Sequence, residues 1–168
     1  MHPTLDFIKS KIIWLPDENL QKLAATWKFQ NKKVVFTNGC FDILHRGHIE
    51  YLTIAADHGD YLIIGLNSDV SVKNIKGPGR PIQNQETRAL ILASLQFVHR
   101  VVLFEQDTPY DLIKLLNPDV LIKGGDYKPH EIVGADIVKA SGGKITTIEF
   151  VDGFSSTSII DKLRNQNG

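Results

Sequence analysis

The sequence predicts an α/β fold of the Rossmann-like kind, a five-stranded parallel sheet with helices on both faces. Three observations carry that expectation. Short apolar runs at 34–38, 61–66, 99–104, 120–123 and 144–151 alternate with segments of helical periodicity. The runs are nearly continuous and rich in Val, Ile and Leu, as strands buried on both faces are. Strands alternating with helices imply right-handed β-α-β units and a covered parallel sheet.

In chain order, residues 1–16 carry no usable pattern. Pro16-Asp17 starts a helix to about residue 30, with Leu20, Leu23, Ala24 and Trp27 on one face. Its expected job is to cover an edge or face of the sheet. The first strand, 34–38, breaks at Asn38-Gly39, and a helix over 47–58 repeats Ile49, Leu52, Ala55 and Ala56 at three- and four-residue steps. The second strand, 61–66, closes on Asn67-Ser68-Asp69, and 73–81 (KNIKGPGRP) reads as a polar, glycine-rich loop. A helix over 84–95 follows, with Arg88 in its first turns and Leu90, Ile91 and Leu95 facing inward. The third strand leads to a helix begun by Thr108-Pro109, where proline is tolerated. The fourth strand ends in Gly124-Gly125-Asp126-Tyr127; a short helix over 132–140 precedes the fifth, and Ser155-Ser156-Thr157-Ser158 opens the last helix. The expectation is one domain over 1–168, with 1–32 as a helical extension packed on it.

Composition excludes several classes. The chain is 42% hydrophobic and 23% charged, near globular averages, so disordered and fibrous classes drop out. Lys+Arg and Asp+Glu are 19 each, which speaks against nucleic acid or an anionic membrane as partner. Any polyanion should be small and held locally. A single cysteine, Cys40, excludes an internal disulfide and a multi-Cys zinc site and fits a reducing cytoplasm. No apolar run approaches the ~18 residues of a membrane span, and no export signal is evident. A soluble, cytoplasmic protein without a protein-held metal is expected.

The chemistry concentrates in 34–48, VVFTNGCFDILHRGH. Here a strand's carboxyl end meets a helix amino end, the usual ligand position in open α/β sheets. Unpaired amides and the positive helix pole favour a phosphate. His45 and His48 can be a structural pair, or two imidazoles donating to a phosphoryl group as charge builds on it. Zinc would need further ligands that the sequence does not supply. Gly47 permits close backbone approach. Cys40 needs no role as a nucleophile and reads as a small packing residue.

The segment 37–48 resembles the signature of the cytidylyltransferase-like nucleotidyltransferases, whose strand–turn–helix carries Phe-Asp and His-x-Gly-His. FTNGCFDILHRGH is most similar to the bacterial heptose 1-phosphate adenylyltransferases, which occur alone or joined to a kinase. The likeness continues through IIGLNSD (63–69), KGPGRPIQNQETRA (76–89), TPYDLIKLLNPDVLIKGGDY (108–127) and FSST (154–157). The resemblance implies transfer of AMP from ATP to heptose 1-phosphate, with Mg2+ bound to ATP, a homodimer contacted through Trp14 and Trp27, and a separate kinase supplying the acceptor. The alternatives are a cytidylyltransferase acting on a small phosphate such as glycerol 3-phosphate, and a non-catalytic nucleotide-binding module.

By the same resemblance, His45, His48, Lys76 and Arg80 are the catalytic candidates. Thr37, Asn38, Gly39, Cys40, Phe41, Gly47, Lys123, Gly124, Asp126, Ser155, Ser156 and Thr157 are the nucleotide-binding candidates. Asp42, Asn67, Asp69 and Arg88 are assigned to the sugar phosphate. Taken residue by residue, alternatives stay open. Lys73, Lys76 and Arg80 form either a solvated basic loop or a clamp on developing charge. Arg88 either reaches a phosphate or pairs with an acidic residue. The di-glycine turn after Lys123 is either only a turn or the seat of a nucleoside. The serine run caps a helix, and with the helix amides it also makes an anion cradle. The family often carries an arginine shortly after this run; here the helix continues Ile159-Ile160-Asp161-Lys162, and Arg164 lies further on.

Overall fold

A computed structural model of the chain describes residues 2–125, 127–128, 131–149 and 153–165, with only the backbone described at 161 and 163–165. Its elements are α1 (Pro3–Ser10), β1 (Ile12–Trp14), α2 (Glu18–Phe29), β2 (Val34–Gly39), α3 (Arg46–Ala56), β3 (Tyr61–Asn67) and α4 (Asp69–Lys76). They continue with α5 (Gln85–Ser94), β4 (Val98–Phe104), α6 (Tyr110–Leu116), β5 (Val120–Gly124), α7 (Ala135–Ala140), β6 (Lys144–Ile148) and α8 (Ser156–Asn165). Among the described residues, no helix is long and apolar enough to cross a membrane.

The sheet is parallel throughout, in the order β1-β4-β3-β2-β5-β6. It has six strands, not the expected five. The extra one comes from the unread first 16 residues, where Ile12, Ile13 and Trp14 pair with Val101, Val102 and Leu103 on the edge. Three residues are too few to display a strand period, and the neighbour that recruits them lies some ninety positions away.

Alternate residues of the strands feed two cores. Val35, Ile64 and Val101 pack with Leu52, Ala89 and Leu92 on one face. Phe36, Ile63 and Val102 pack with Leu20, Trp27, Leu112 and Ile113 on the other. Burying each such Leu, Ile or Phe contributes about 1.5–3 kcal/mol. Gly65 belongs to this packing, because a Cβ there would stand 2.7 Å from the Phe36 ring. The expected helix at 17–30 forms as read: Asp17 accepts from the Asn19 amide at 2.7 Å, and Leu20, Ala24 and Trp27 are buried. Trp27 is 3% exposed, so it is core and cannot form a subunit contact; Trp14 is exposed.

Three further expectations are corrected. The segment 73–81 is not all loop: Ser68 caps α4 by accepting from the Ser71 amide, and the helix runs through Lys76 to Gly77, whose φ is 92°. The inward face of α5 is Arg88, Ala89, Leu92 and Ala93, so a guanidinium occupies a position that the apolar pattern gave to Leu90 and Ile91. The expected last strand reached 151, whereas β6 ends at Ile148 and 150–152 lie outside the described residues.

Candidate active site

From β2 the chain moves outward through β3 to β4 and then returns to β5 on the opposite side of β2. The reversal opens a crevice at the carboxyl ends of β2 and β5, where open α/β sheets bind ligands. Asn38 and Lys123 join its two walls, Lys123 Nζ donating to Asn38 Oδ1 at 3.0 Å. Burial lowers the Lys123 pKa, partly offset by the Cys40 sulfur.

Phe41, at φ 44°, turns the chain after β2 and lays its buried ring 5.3 Å from that of His48. His45 stands at the N-cap of α3 in extended backbone and stacks on His48 at 3.8 Å. On its other face is Phe154, at 6.4 Å. Gly47 leaves room for the stack: a Cβ there would come within 3.1 Å of Phe154 Cβ and 3.2 Å of His45 Nδ1, close enough that a neighbour would have to shift. Neither imidazole Nδ1 has a hydrogen-bond partner, although both atoms are buried. Burial lowers the His45 pKa. His48 falls to about 4, through burial first and then the charges of His45 and Lys76.

The consequence for stability has a definite sign. Outside the site, His99 is also held at about 4, by burial and then by Arg100 and Lys11; its ring stacks on Tyr61 at 3.7 Å. Histidines of ordinary pKa near 6.5 in the unfolded chain take up protons there before these two do so in the native state. Their contribution is therefore complete above about pH 6.5 and is lost as pH falls from there to about 4. Tm should be flat from pH 8 to 7 and decline through that window; a Tm unchanged down to pH 4 would sink the assignment.

Asp42 is 1% exposed and tied to the protein on its carboxylate, although it borders the cleft beyond β2. It accepts from Arg80 Nε at 2.6 Å, from the Ile82 amide at 2.8 and 2.9 Å, and from the Gln83 amide at 2.9 Å. Burial raises its pKa, but the amides of Gln83 and Ile82 and the Arg80 guanidinium outweigh that, leaving a net lowering. Arg80 is thereby held by its Nε edge, and its buried Nη2 has no partner. Arg88 is likewise internal. Nε donates to Gln83 O, Nη1 to Cys40 O, and Nη2 to Asn67 O and Asp69 Oδ1, at 2.5 to 3.1 Å. Asp42 and Arg88 together fasten the 80–84 loop to the turn after β2. Asp42, Asp69 and Arg88, the residues expected at the sugar phosphate, thus all have protein partners: Arg88 is fully buried, whereas the Asp69 side chain is 36% exposed and Asp42 borders the middle cleft. Thr37 is also withdrawn: it is fully buried and hydrogen-bonded to the Tyr51 hydroxyl at 2.6 Å.

Three connected clefts lie over these elements. A cleft of about 250 Å3 is lined by His45, Gly47, His48, Lys76, Phe154 and Ser155–Ser156–Thr157. Ser155 accepts from the Ser158 amide at the start of α8, and Ser156 Oγ donates to Ile43 O. A middle cleft of about 310 Å3 adds Asn38, Gly39, Cys40, Phe41, Asp42, Tyr51, Lys123, Gly124 and Tyr127. A third, of about 360 Å3, extends past Asn67 to Asp107, Thr108 and Glu131. A larger cleft of about 480 Å3 lies elsewhere, among Glu18, Glu105, Asp111 and Leu115; its lining holds no cation or histidine, so it is unsuited to a polyphosphate. Lys73 and Arg80 line none of these clefts, Asp126 lies outside the described residues, and so does the Arg164 side chain.

The sequence reading missed Phe154, Tyr127, Asp107, Thr108 and Glu131 as cleft residues. The rule that ligands gather beyond strand carboxyl ends was a signal for Asp107 and Thr108, just after β4.

Relatives carry the same arrangement of sequence. The chain is 50% identical over 150 residues to the bifunctional protein HldE of Wolinella succinogenes, covering 89% of this chain and 31% of that one. It is 54% identical over 147 residues to the protein of the same name from Aliarcobacter butzleri, covering 88% and 30%. It thus spans about a third of the length of the curated relatives it matches. The crystal structure of a lipopolysaccharide core biosynthesis protein from Thermoplasma volcanium superposes with a TM-score of 0.57 at 26% identity, covering 71% of this chain and 97% of that one. The cytidylyltransferase-like family model matches residues 36–162, which contain every residue lining the three connected clefts, and the chain belongs to that family.

Proposed function

We propose that the chain transfers AMP from ATP to heptose 1-phosphate, releasing pyrophosphate and forming ADP-heptose. The observation that carries this reading is the convergence of His45, His48, Lys76 and the start of α8 on one cleft at the switch point. An oxygen of the acceptor's phosphate attacks the α-phosphorus in line. The new P–O bond forms as the bond from the α-phosphorus to the bridging oxygen breaks, and pyrophosphate leaves with the electron pair. Little covalent work falls to the protein; positioning and stabilisation of charge supply the rate.

Lys76 and the two imidazoles face the leaving pyrophosphate, and the amides of α8 receive its terminal oxygens. Arg80, gripped at Nε, keeps Nη2 in reserve for an anion. Among the described residues, no three His, Cys, Asp or Glu are grouped to hold a metal. Magnesium would therefore arrive on the nucleotide's own phosphates, and no step here is assigned to it. The adenine and the heptose rest on the family likeness and on the HldE relatives.

The test is pyrophosphate release with magnesium, offering ATP, CTP, GTP and UTP against both anomers of heptose 1-phosphate and against glycerol 3-phosphate. Release with ATP and one heptose phosphate is expected. Release only with CTP and glycerol 3-phosphate would keep the chemistry and overturn the substrates.

A further inference from the structure

We propose that the third cleft is the acceptor's sugar subsite, in which Asp107 and Glu131 read the hydroxyls of the sugar's tail. The inference rests on the transfer reaction above and goes beyond it to the residues that select the acceptor.

The order of the clefts is the first argument. The α8 cleft and the middle cleft share His48, Lys76 and Ser156. The middle and third clefts share Asn38, Gly39, Cys40, Lys123 and Tyr127. The outer two share no lining residue, so the middle cleft lies between them. In-line displacement places leaving group and nucleophile on opposite sides of the phosphorus. With pyrophosphate held beside the histidines, the α-phosphorus lies toward the middle cleft and the attacking oxygen enters from the third.

Charge is the second argument. Among the described residues, Lys123 is the sole cation in the lining of the third cleft, and it stands at the boundary with the middle one. The acceptor's phosphate belongs there, near Lys123 and the carboxyl end of β2. Deeper in, the wall changes character: Asp107 and Glu131 are exposed carboxylates, joined by Thr108, Asn67 and the apolar Val133. Carboxylates repel a phosphate but accept strong hydrogen bonds from hydroxyls. The two carboxylates disfavour a triphosphate there, whereas an uncharged polyol fits a cleft of about 360 Å3. A site that hydrogen-bonds a substrate hydroxyl discriminates strongly against an analogue lacking it.

The experiment measures steady-state kinetics of Asp107→Ala, Glu131→Ala and Glu131→Gln with heptose 1-phosphate, and with mannose 1-phosphate as an acceptor one carbon shorter. Both alanine variants should raise KM for heptose 1-phosphate roughly 10- to 100-fold, with KM for ATP within about twofold and kcat little changed. Glu131→Gln should recover part of the loss, because its carbonyl still accepts. The preference for heptose over mannose phosphate should shrink in the alanine variants. Both positions are on the surface, and an unchanged Tm checks that folding is intact. A rise in KM for ATP instead would place the nucleoside in this cleft and overturn the proposal. Unaltered kinetics in all variants of an active protein would overturn it and leave the transfer reaction standing. A wild-type protein inert toward heptose 1-phosphate would remove both.

Discussion

Arg88→Met should cost about 3–5 kcal/mol of stability, the range for breaking a buried charged network. The side chain is fully buried, and four of its N–H groups are engaged by Gln83 O, Cys40 O, Asn67 O and Asp69. Methionine fills much of the space but leaves three carbonyls without a donor, each costing about 1–3 kcal/mol where water cannot replace it. For a chain of this size the Tm should fall by roughly 10 °C, read by thermal denaturation at pH 7.5. Arg88→Lys keeps the charge but not the planar fork, so it should fall between the two. The pattern separates a fastening role from a phosphate-binding one. A phosphate ligand, once removed, would raise a substrate KM and leave Tm alone or increase it. That result would restore Arg88 to the ligand set.

The same residue marks where the sequence stopped being legible. The β2–turn–α3 unit was readable because strand, turn, glycine and histidines are contiguous, and local chemistry dictates each of them. The five longer strands were readable from apolar runs, since burial on both faces leaves an unbroken signature. β1 was not, because three residues on an edge acquire strand identity only from Val101–Leu103. The second half of α4 reads as loop because Lys73, Asn74 and Lys76 run directly into Gly77-Pro78-Gly79, although Ser68 and Asp69 form an ordinary helix start. Asp42 and Arg88 stand out in the sequence, but their protein partners do not. A carboxylate or guanidinium beside a presumed phosphate site looks the same in sequence whether it faces the ligand or the backbone. Here the deciding acceptors lie 5 to 48 positions away from Arg88, and only the fold brings them together.

His48→Ala should lower kcat roughly 10^2- to 10^3-fold, the usual effect of removing one donor to developing charge. KM for ATP should move far less, because a contact that strengthens in the transition state contributes little to ground-state binding. Tm should stay close to the wild-type value, since His48 is only half-buried and its Nδ1 has no partner to lose. The protonation state sharpens the test. With its pKa near 4, the free protein presents a neutral imidazole at pH 7, and the triphosphate either meets a neutral N–H or draws a proton onto the ring. His48→Gln distinguishes these: a neutral donor should recover a substantial part of the alanine loss only in the first case. In the second, kcat should fall with rising pH as the imidazolium of the bound complex titrates, and glutamine should recover little. The stack with His45 favours the first, because a second positive charge 3.8 Å away opposes protonation of either ring. Recovery by glutamine is therefore the expected result. A His48→Ala loss below about tenfold, with the protein folded, would take His48 out of the transition-state machinery and leave the charge to Lys76, Arg80 and the start of α8.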